Sequence, residues 1–260
     1  MPAETSRHDP ARFRQRLAAR ERLVGSFIKT PTTHATEILG ALGFDFVVID
    51  AEHAPLDRAA IDMMLLAARA SGTAGLVRVA EPSAAAILSV LDCGATGVLV
   101  PHVASATTAR DIGAAARYRG GRRGYSGSHR AASYGAGGLW AYIDRADAET
   151  TVIAMIEDAA ALDQIDAICA VESIDALFIG RGDLTVALGA ASNTAAPVQQ
   201  AVEHICAAAR RAGKPVCVMV NAATEAAPFA ALGASAFIVA SDQGFLRRAA
   251  ADALRDFTTA

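Results

Sequence analysis

The chain is almost without lysine. Of its 24 basic residues only Lys29 and Lys214 are lysines, and the other 22 are arginines. Arginine keeps its proton in a protein, so chemistry that needs a free amine is confined to two positions. Cysteine is sparse and scattered. Cys93, Cys169, Cys206 and Cys217 form no C-x-x-C pair, which excludes a disulfide framework, and three of them lie in apolar runs as core thiols do. The stretch from Met1 to Arg22 has no hydrophobic signal core, and no apolar run approaches the ~20 residues that span a bilayer. A net charge of −3 gives no reason to expect nucleic acid or an acidic membrane surface as a partner. No Walker loop and no H-E-x-x-H occurs, and Gly124-Tyr125-Ser126-Gly127-Ser128 lacks the last glycine of a nucleophile elbow. A cytoplasmic globular protein is expected, with 53% hydrophobic and 20% charged residues.

What the chain has is a rhythm. After a polar leader over residues 1–22, helical from Pro10 to Arg20, short apolar strands alternate with helices rich in Ala and Leu. The strands are expected at Leu23–Lys29, Phe46–Asp50, Leu76–Val79, Gly97–Pro101, Val152–Glu157, Ala176–Gly180, Val216–Val220 and Ala236–Ala240. Ile61, Met64, Leu65 and Ala68 share one face of the helix after the second strand, and Ser105 caps the helix after the fourth. The pattern breaks over Arg119–Thr150, where Gly120-Gly121-Arg122-Arg123-Gly124-Tyr125-Ser126-Gly127 is glycine- and arginine-rich and not expected as a core strand. Another helix is expected over Ala159–Ala170 and a terminal one over Gly244–Phe257. Eight such units predict a single (β/α)8 barrel over residues 23–260, a fold for which ~250 residues is typical. An open doubly wound sheet competes, but no G-x-G-x-x-G follows the first strand.

Barrel enzymes place their chemistry at the C-terminal ends of the strands. Here those ends carry Lys29, then Asp50, Glu52 and His53, then Arg78, His102, Glu157, Asp158, Arg181, Asp183, Asn221 and Asp242. The opposite ends carry mostly Gly, Ala and Thr. Asp50-Ala51-Glu52-His53 places carboxylates beside an imidazole, an acid–base set. Glu157 and Asp183 would repel each other unless protonated or neutralised, and a divalent cation with oxygen ligands is one neutraliser. Helix capping or pairing with arginine is the other reading of the two carboxylates. Arg78, on an inward strand position, needs a partner: a substrate anion, or Asp50 or Glu52. His102 follows the fourth strand with no assigned task. Lys29 is the one amine at these ends, so an imine mechanism there is a rival to the metal route.

With those residues in place the chain resembles the HpcH/HpaI aldolase family of metal-dependent pyruvate aldolases. The resemblance runs from about Arg22 to Asp242. It rests on Asp50-Ala51-Glu52-His53-Ala54-Pro55, Val77-Arg78-Val79, Leu91-Asp92-Cys93-Gly94-Ala95, Val100-Pro101, Arg123-Gly124, Ile156-Glu157 and Phe178-Ile179-Gly180-Arg181-Gly182-Asp183-Leu184. It implies a TIM barrel, assembled as a trimer or hexamer that exchanges its last helix between subunits. It implies cleavage of 4-hydroxy-2-oxo acids to pyruvate and an aldehyde, with Mg2+, Mn2+ or Co2+ held by Glu157 and Asp183. Arg78 would stabilise the enolate, and His53, oriented by Asp50, would move the proton. Gly180, Arg181 and Gly182 would bind the carboxylate, and Asp92 would reach a neighbouring subunit's site. Arg181 stands where the family usually has proline, and an anionic acceptor aldehyde is a candidate partner for it. A citrate-lyase-like enzyme acting on β-hydroxyacyl thioesters and a non-catalytic keto-acid-binding barrel are the remaining alternatives.

Overall fold

The structure, a computed structural model, describes residues 9–258; the part of the polar leader from Met1 to His8 lies outside them. Eight strands close into a barrel: β1 (Leu23–Ile28), β2 (Phe46–Asp50), β3 (Ala74–Arg78), β4 (Gly97–Val100), β5 (Thr151–Ile156), β6 (Ala176–Ile179), β7 (Val216–Val220) and β8 (Ala234–Ser241). Every neighbouring pair is parallel, and β1 pairs back onto β8. Parallel strands need crossovers, and helices supply them.

The helices are α1 (Phe13–Ala18), α2 (Thr33–Ala41), α3 (Arg58–Ala70), α4 (Ala84–Asp92), α5 (Ala106–Ala116), α6 (Leu139–Glu149), α7 (Ala159–Asp163), α8 (Ile165–Cys169), α9 (Arg181–Ala187), α10 (Ala196–Arg211), α11 (Ala223–Ala231) and α12 (Asp242–Thr258). Four begin with side-chain caps. Thr32, Asp57, Ser83 and Ser105 accept the backbone N–H groups of His34, Ala60, Ala86 and Thr108, each such cap contributing about 1 kcal/mol.

Three differences from the sequence expectation stand out. The stretch 119–150, to which the sequence pattern assigns no element, contains α6, whose buried face carries Tyr142, Ile143 and Ala146. The helix expected over 159–170 breaks at Gln164, whose φ of −105° and ψ of 2° leave helical geometry. Arg181 to Ala187 forms a helix immediately after β6.

Strand alternation builds the site. Along β2, Phe46 and Val48 point into the barrel core; along β3, Ala74 and Leu76; along β5, Ile153 and Met155; along β6, Ala176 and Phe178. One period of two further on, the inward positions are Asp50, Arg78, Glu157 and Gly180. On β1 the same count from Phe27 reaches Lys29, and on β7 from Met219 it reaches Asn221. The polar layer is therefore the lid of an apolar stack. At the other end Phe13 and Leu17, one turn apart on α1, join the interior cluster, with the Phe13 and Phe46 rings 5.3 Å apart. The outer layer of the core lies between strands and helices.

The last helix is different. No residue of α12 is buried, and Leu246, Leu254 and Phe257 are exposed. Among the described residues no helix is long and apolar enough to cross a membrane.

Candidate active site

Asp50 closes β2 opposite Arg78 on β3, because the two are register partners. Both are buried. The Arg78 guanidinium donates from Nε to Asp50 Oδ1 at 2.9 Å and from Nη2 to Oδ2 at 2.6 Å, a two-pronged pair. The backbone N–H groups of Glu52 and His53 donate to Asp50 Oδ1 at 3.2 and 3.1 Å. Lys29 Nζ lies 3.2 Å from Oδ2. Burial by itself would raise this carboxyl, but the Arg78 hydrogen bonds and charge, the His53 N–H and the Lys29 charge hold it below the usual range. The ring of Phe27 lies under the Arg78 guanidinium, 4.9 Å away.

Glu52 is the middle of this corner. Its Oε2 is 3.2 Å from Arg78 Nη1 and 3.7 Å from His53 Nε2, and its Oε1 is 3.8 Å from His102 Nε2. Asp50 therefore fixes His53 through the backbone, whereas the carboxylate facing the imidazole is that of Glu52. The His53 side chain is half exposed.

Across the mouth, Glu157 follows β5 and Asp183 sits in the first turn of α9. Glu157 is only 2% exposed. Burial foremost, and then the facing Asp183 carboxyl, push Glu157 up to about 7 against the opposing pull of the His102 backbone N–H. That N–H donates to Glu157 Oε1 at 2.9 Å from a residue with φ of +54°, in the left-handed region that histidine tolerates better than most. The His102 ring reaches 3.2 Å from Asp158 and 3.6 Å from Glu157, and these carboxylates with Glu52 raise it despite partial burial. Gly180 makes room: a Cβ there would stand 2.7 Å from the Glu157 Cβ and 2.8 Å from its Oε2.

A cavity of about 290 Å3 opens onto these groups, lined by Lys29, Arg78, Gly180, Gly182, Asp183 and Asn221 among others. A larger one, about 460 Å3, lies at the opposite end of the barrel. There Arg130 is already paired with Asp62 at 2.6 Å and Arg123 with Asp92 at 3.1 Å. Its place at the C-terminal ends of the strands, rather than volume, distinguishes the smaller cavity.

Two expected site residues behave differently from the rest. Asp92 ends α4 at the far end of the barrel, held by Arg123 and by His129 at 3.3 Å, and does not enter this chain's own mouth. Arg181 does line the cavity, but its Nη2 donates to the Met219 carbonyl at 2.7 Å and to Glu225 at 2.6 Å. Its guanidinium also stacks 4.7 Å from the Phe229 ring. It is a strut between the β6 and β7 loops, not a cation free for an acceptor. The central position of Glu52 and the use of the His102 backbone were both missed from sequence; only a histidine directly after a strand-ending proline hinted at the second.

Among the described residues no group of three or more His, Cys, Asp and Glu side chains could hold a metal ion. Two carboxylates can still suffice for a hard cation such as Mg2+, which keeps water and substrate oxygens in its remaining positions. The pair present fits that requirement: both are oxygen donors, they repel when ionised, and Gly180 leaves Glu157 Oε2 unobstructed.

Residues 23–249 match the model of the HpcH/HpaI aldolase/citrate lyase family. A 5-keto-4-deoxy-D-glucarate aldolase of Klebsiella pneumoniae subsp. pneumoniae is 36% identical over 242 residues, covering 92% of this chain and 94% of the relative. Among solved structures, an HpcH/HpaI aldolase/citrate lyase family protein of Burkholderia cenocepacia J2315 superposes with a TM-score of 0.89 at 29% identity, covering 94% of this chain and 98% of that one. An HpcH/HpaI aldolase of Desulfitobacterium hafniense DCB-2 superposes with a TM-score of 0.88 at 27% identity, covering 94% and 96%. A carboxylate pair and an arginine at the strand ends of a closed barrel thus coincide with a family match along nearly the whole chain, and the protein belongs to the HpcH/HpaI aldolase/citrate lyase family of carbon–carbon lyases.

Proposed function

We propose that the chain cleaves 4-hydroxy-2-oxo acids reversibly to pyruvate and an aldehyde, with Glu157 and Asp183 as ligands of a divalent cation. The observation that carries this is the pair itself, two facing carboxyls of which one is buried and raised to about 7, beside Arg78. The cation, Mg2+, Mn2+ or Co2+, would supply Lewis acidity toward a keto acid's oxygens.

Arg78 presents a fixed positive charge where enolate charge develops. Its Nη1 and Nη2 each have a second N–H beyond those aimed at Glu52 and Asp50, so the guanidinium can serve substrate without leaving its partners. Asp50 makes that charge affordable inside the barrel and holds the 52–53 backbone. His53 takes the proton from the 4-hydroxyl as the bond between the third and fourth carbons breaks, with the Glu52 carboxylate 3.7 Å from its Nε2. The backbone N–H groups of Arg181 and Gly182, in the first turn of α9, offer donors to the keto acid's carboxylate, while that of Gly180 is held by the Ile156 carbonyl at 3.0 Å. Lys29 lies 3.2 Å from Asp50 and would have to leave that ion pair to form an imine, which disfavours that route.

The named substrate of the Klebsiella relative is a sugar diacid with a 2-oxo-4-hydroxy arrangement when numbered from its other end, and it is the first compound to try. Pyruvate release, coupled to lactate dehydrogenase, should require Mn2+ or Mg2+ and stop with EDTA. Metal-independent turnover would sink this mechanism, and no turnover with any such acid would favour the thioester or keto-acid-binding alternatives.

We further infer a trimer or hexamer in which α12 packs on a neighbour and Asp92 reaches a neighbour's mouth. In support, only the start of α12 packs on its own chain, through Phe245 against Phe44, while Leu246, Leu254 and Phe257 are exposed, and Asp92 lies at the end of the barrel opposite to its own site. Mixing Asp92→Asn with Glu157→Gln subunits should then restore part of the activity; a monomer by light scattering excludes the assignment.

A further inference from the structure

Three cations line the catalytic cavity, Lys29, Arg78 and Arg181, and they differ in how much of their hydrogen-bonding capacity is used. Arg181 is occupied by Glu225, the Met219 carbonyl and the Phe229 ring. Arg78 is shared between Asp50 and Glu52. Lys29 touches Asp50 alone among the described side chains.

That contact uses one of the ammonium's three N–H groups. Asp50 Oδ1 takes Arg78 Nε and the Glu52 and His53 backbone N–H groups, while Oδ2 takes Arg78 Nη2 and the Lys29 ammonium at 3.2 Å. The other two N–H groups of Lys29 are unmatched among the described side chains. Its base is nevertheless fixed. Asp242 accepts the Lys29 backbone N–H at 2.9 Å and that of Thr30 at 3.0 Å, pinning the β1–α2 turn to the start of α12. Strand alternation directs the side chain inward above Phe27. There it borders the part of the cavity walled by Asn221 after β7 and Ser241 of β8, away from the Glu157–Asp183 pair.

We propose that Lys29 is the specificity-determining cation for the acceptor half of the reaction: it takes the carboxylate of an anionic aldehyde, with Asn221 and Ser241 as neutral donors to the acceptor's hydroxyls. This rests on the aldolase reading above, in which the sugar diacid already leaves an anionic aldehyde, and goes beyond it in naming the residue that reads that charge. An ammonium with unmatched donors in a half-enclosed cavity discriminates against an acceptor that leaves it unpaired. A neutral aldehyde would leave the ammonium with Asp50 as its one charged partner and its remaining donors unused.

The test is aldol addition of pyruvate to glyoxylate and to glycolaldehyde, aldehydes of similar size with and without a carboxylate. Each is assayed with Mn2+ for the wild type, Lys29→Met and Lys29→Arg. Exchange of the pyruvate methyl protons in D2O, followed by NMR without any acceptor, reads the donor half separately. In Lys29→Met the ratio of kcat/KM for glyoxylate over glycolaldehyde should fall at least about tenfold, chiefly through KM. Lys29→Arg should recover part of it, and this variant keeps the test alive if the methionine variant does not fold. An unchanged ratio overturns the proposal. So does an equal loss with both acceptors alongside a loss of exchange, which would place Lys29 in the donor half. Absence of exchange in the wild type with Mn2+ instead refutes the aldolase reading, and the acceptor assignment with it.

Discussion

Two corners of one barrel mouth handle charge in opposite ways. Between β1 and β3, Asp50 is held by Arg78, Lys29 and two backbone N–H groups, so the buried carboxylate has cationic partners that offset its desolvation. Between β5 and β6, Glu157 and Asp183 face each other, and the nearest compensation is one backbone N–H and a half-exposed imidazole. The first corner has its carboxyl held down; the second has its carboxyl pushed up to about 7. The difference teaches where negative charge is left without a cationic partner. A balanced corner can be preorganised machinery, while an unbalanced one is waiting for a ligand.

The widest separation of the two corners should come from removing one carboxyl in each. Glu157→Gln should abolish Mn2+ binding by calorimetry and lower turnover about a thousandfold, while the metal-free protein melts no earlier than wild type, because a repulsion has gone. Asp50→Ala should do the reverse in kind, lowering unfolding stability by about 3–5 kcal/mol because buried Arg78 is left unpaired. If both variants lose stability equally, the contrast fails.

Acid should reveal the same asymmetry. Metal binding displaces the Glu157 proton, so Mn2+ affinity should rise as pH rises and level off above about 7, falling about tenfold for each pH unit below it. The sign for stability is opposite. Folded metal-free protein holds this proton more tightly than the unfolded chain, so stability is fully present below the unfolded value of 4.5 and declines as pH climbs to about 7. Asp50, held low, contributes stability that is present above the ordinary carboxylate range and lost as pH falls through its lowered value. A flat Mn2+ affinity between pH 5 and 7 would contradict the raised Glu157.

Gly180→Ala tests the packing behind the open corner. Its Cβ would meet Glu157 within 2.8 Å, so Mn2+ should bind about tenfold more weakly, with little change in melting. The smallest effect is expected for Arg181→Met. Loss of the strut between the β6 and β7 loops should weaken metal and substrate binding a few-fold and leave the preference for anionic over neutral acceptors where it was. A lost preference would return Arg181 to the acceptor role that its contacts argue against.

Much of this was legible in the chain because the period of a strand is two. Apolar runs ending in Asp50, Arg78 and Glu157 place those groups one step above the last apolar layer, and counting alone finds them. The helix α6 was missed because the glycines and arginines before it dominate the window, although Tyr142, Ile143 and Ala146 keep helical spacing. The role of His102 was not legible, since it depends on a left-handed backbone torsion and on the distance to Glu157, residues far apart in sequence. Arg181 was misjudged for a related reason. A sequence reports a charge but not whether Glu225, forty-four positions on, has already neutralised it.

The sequence by itself determined the alternation of strands and helices, the end of the barrel on which chemistry collects, and the scarcity of amines that leaves Lys29 alone at the mouth. These follow from periodicity and residue type, which are local. Only the tertiary structure decided which charges are satisfied: that Asp50 belongs to Arg78, that Glu52 rather than Asp50 faces the His53 ring, that Arg181 is a strut and Lys29 has donors to spare. Ionic partnership is set by distance and burial across different strands, and those are properties of the closed barrel rather than of any segment in it.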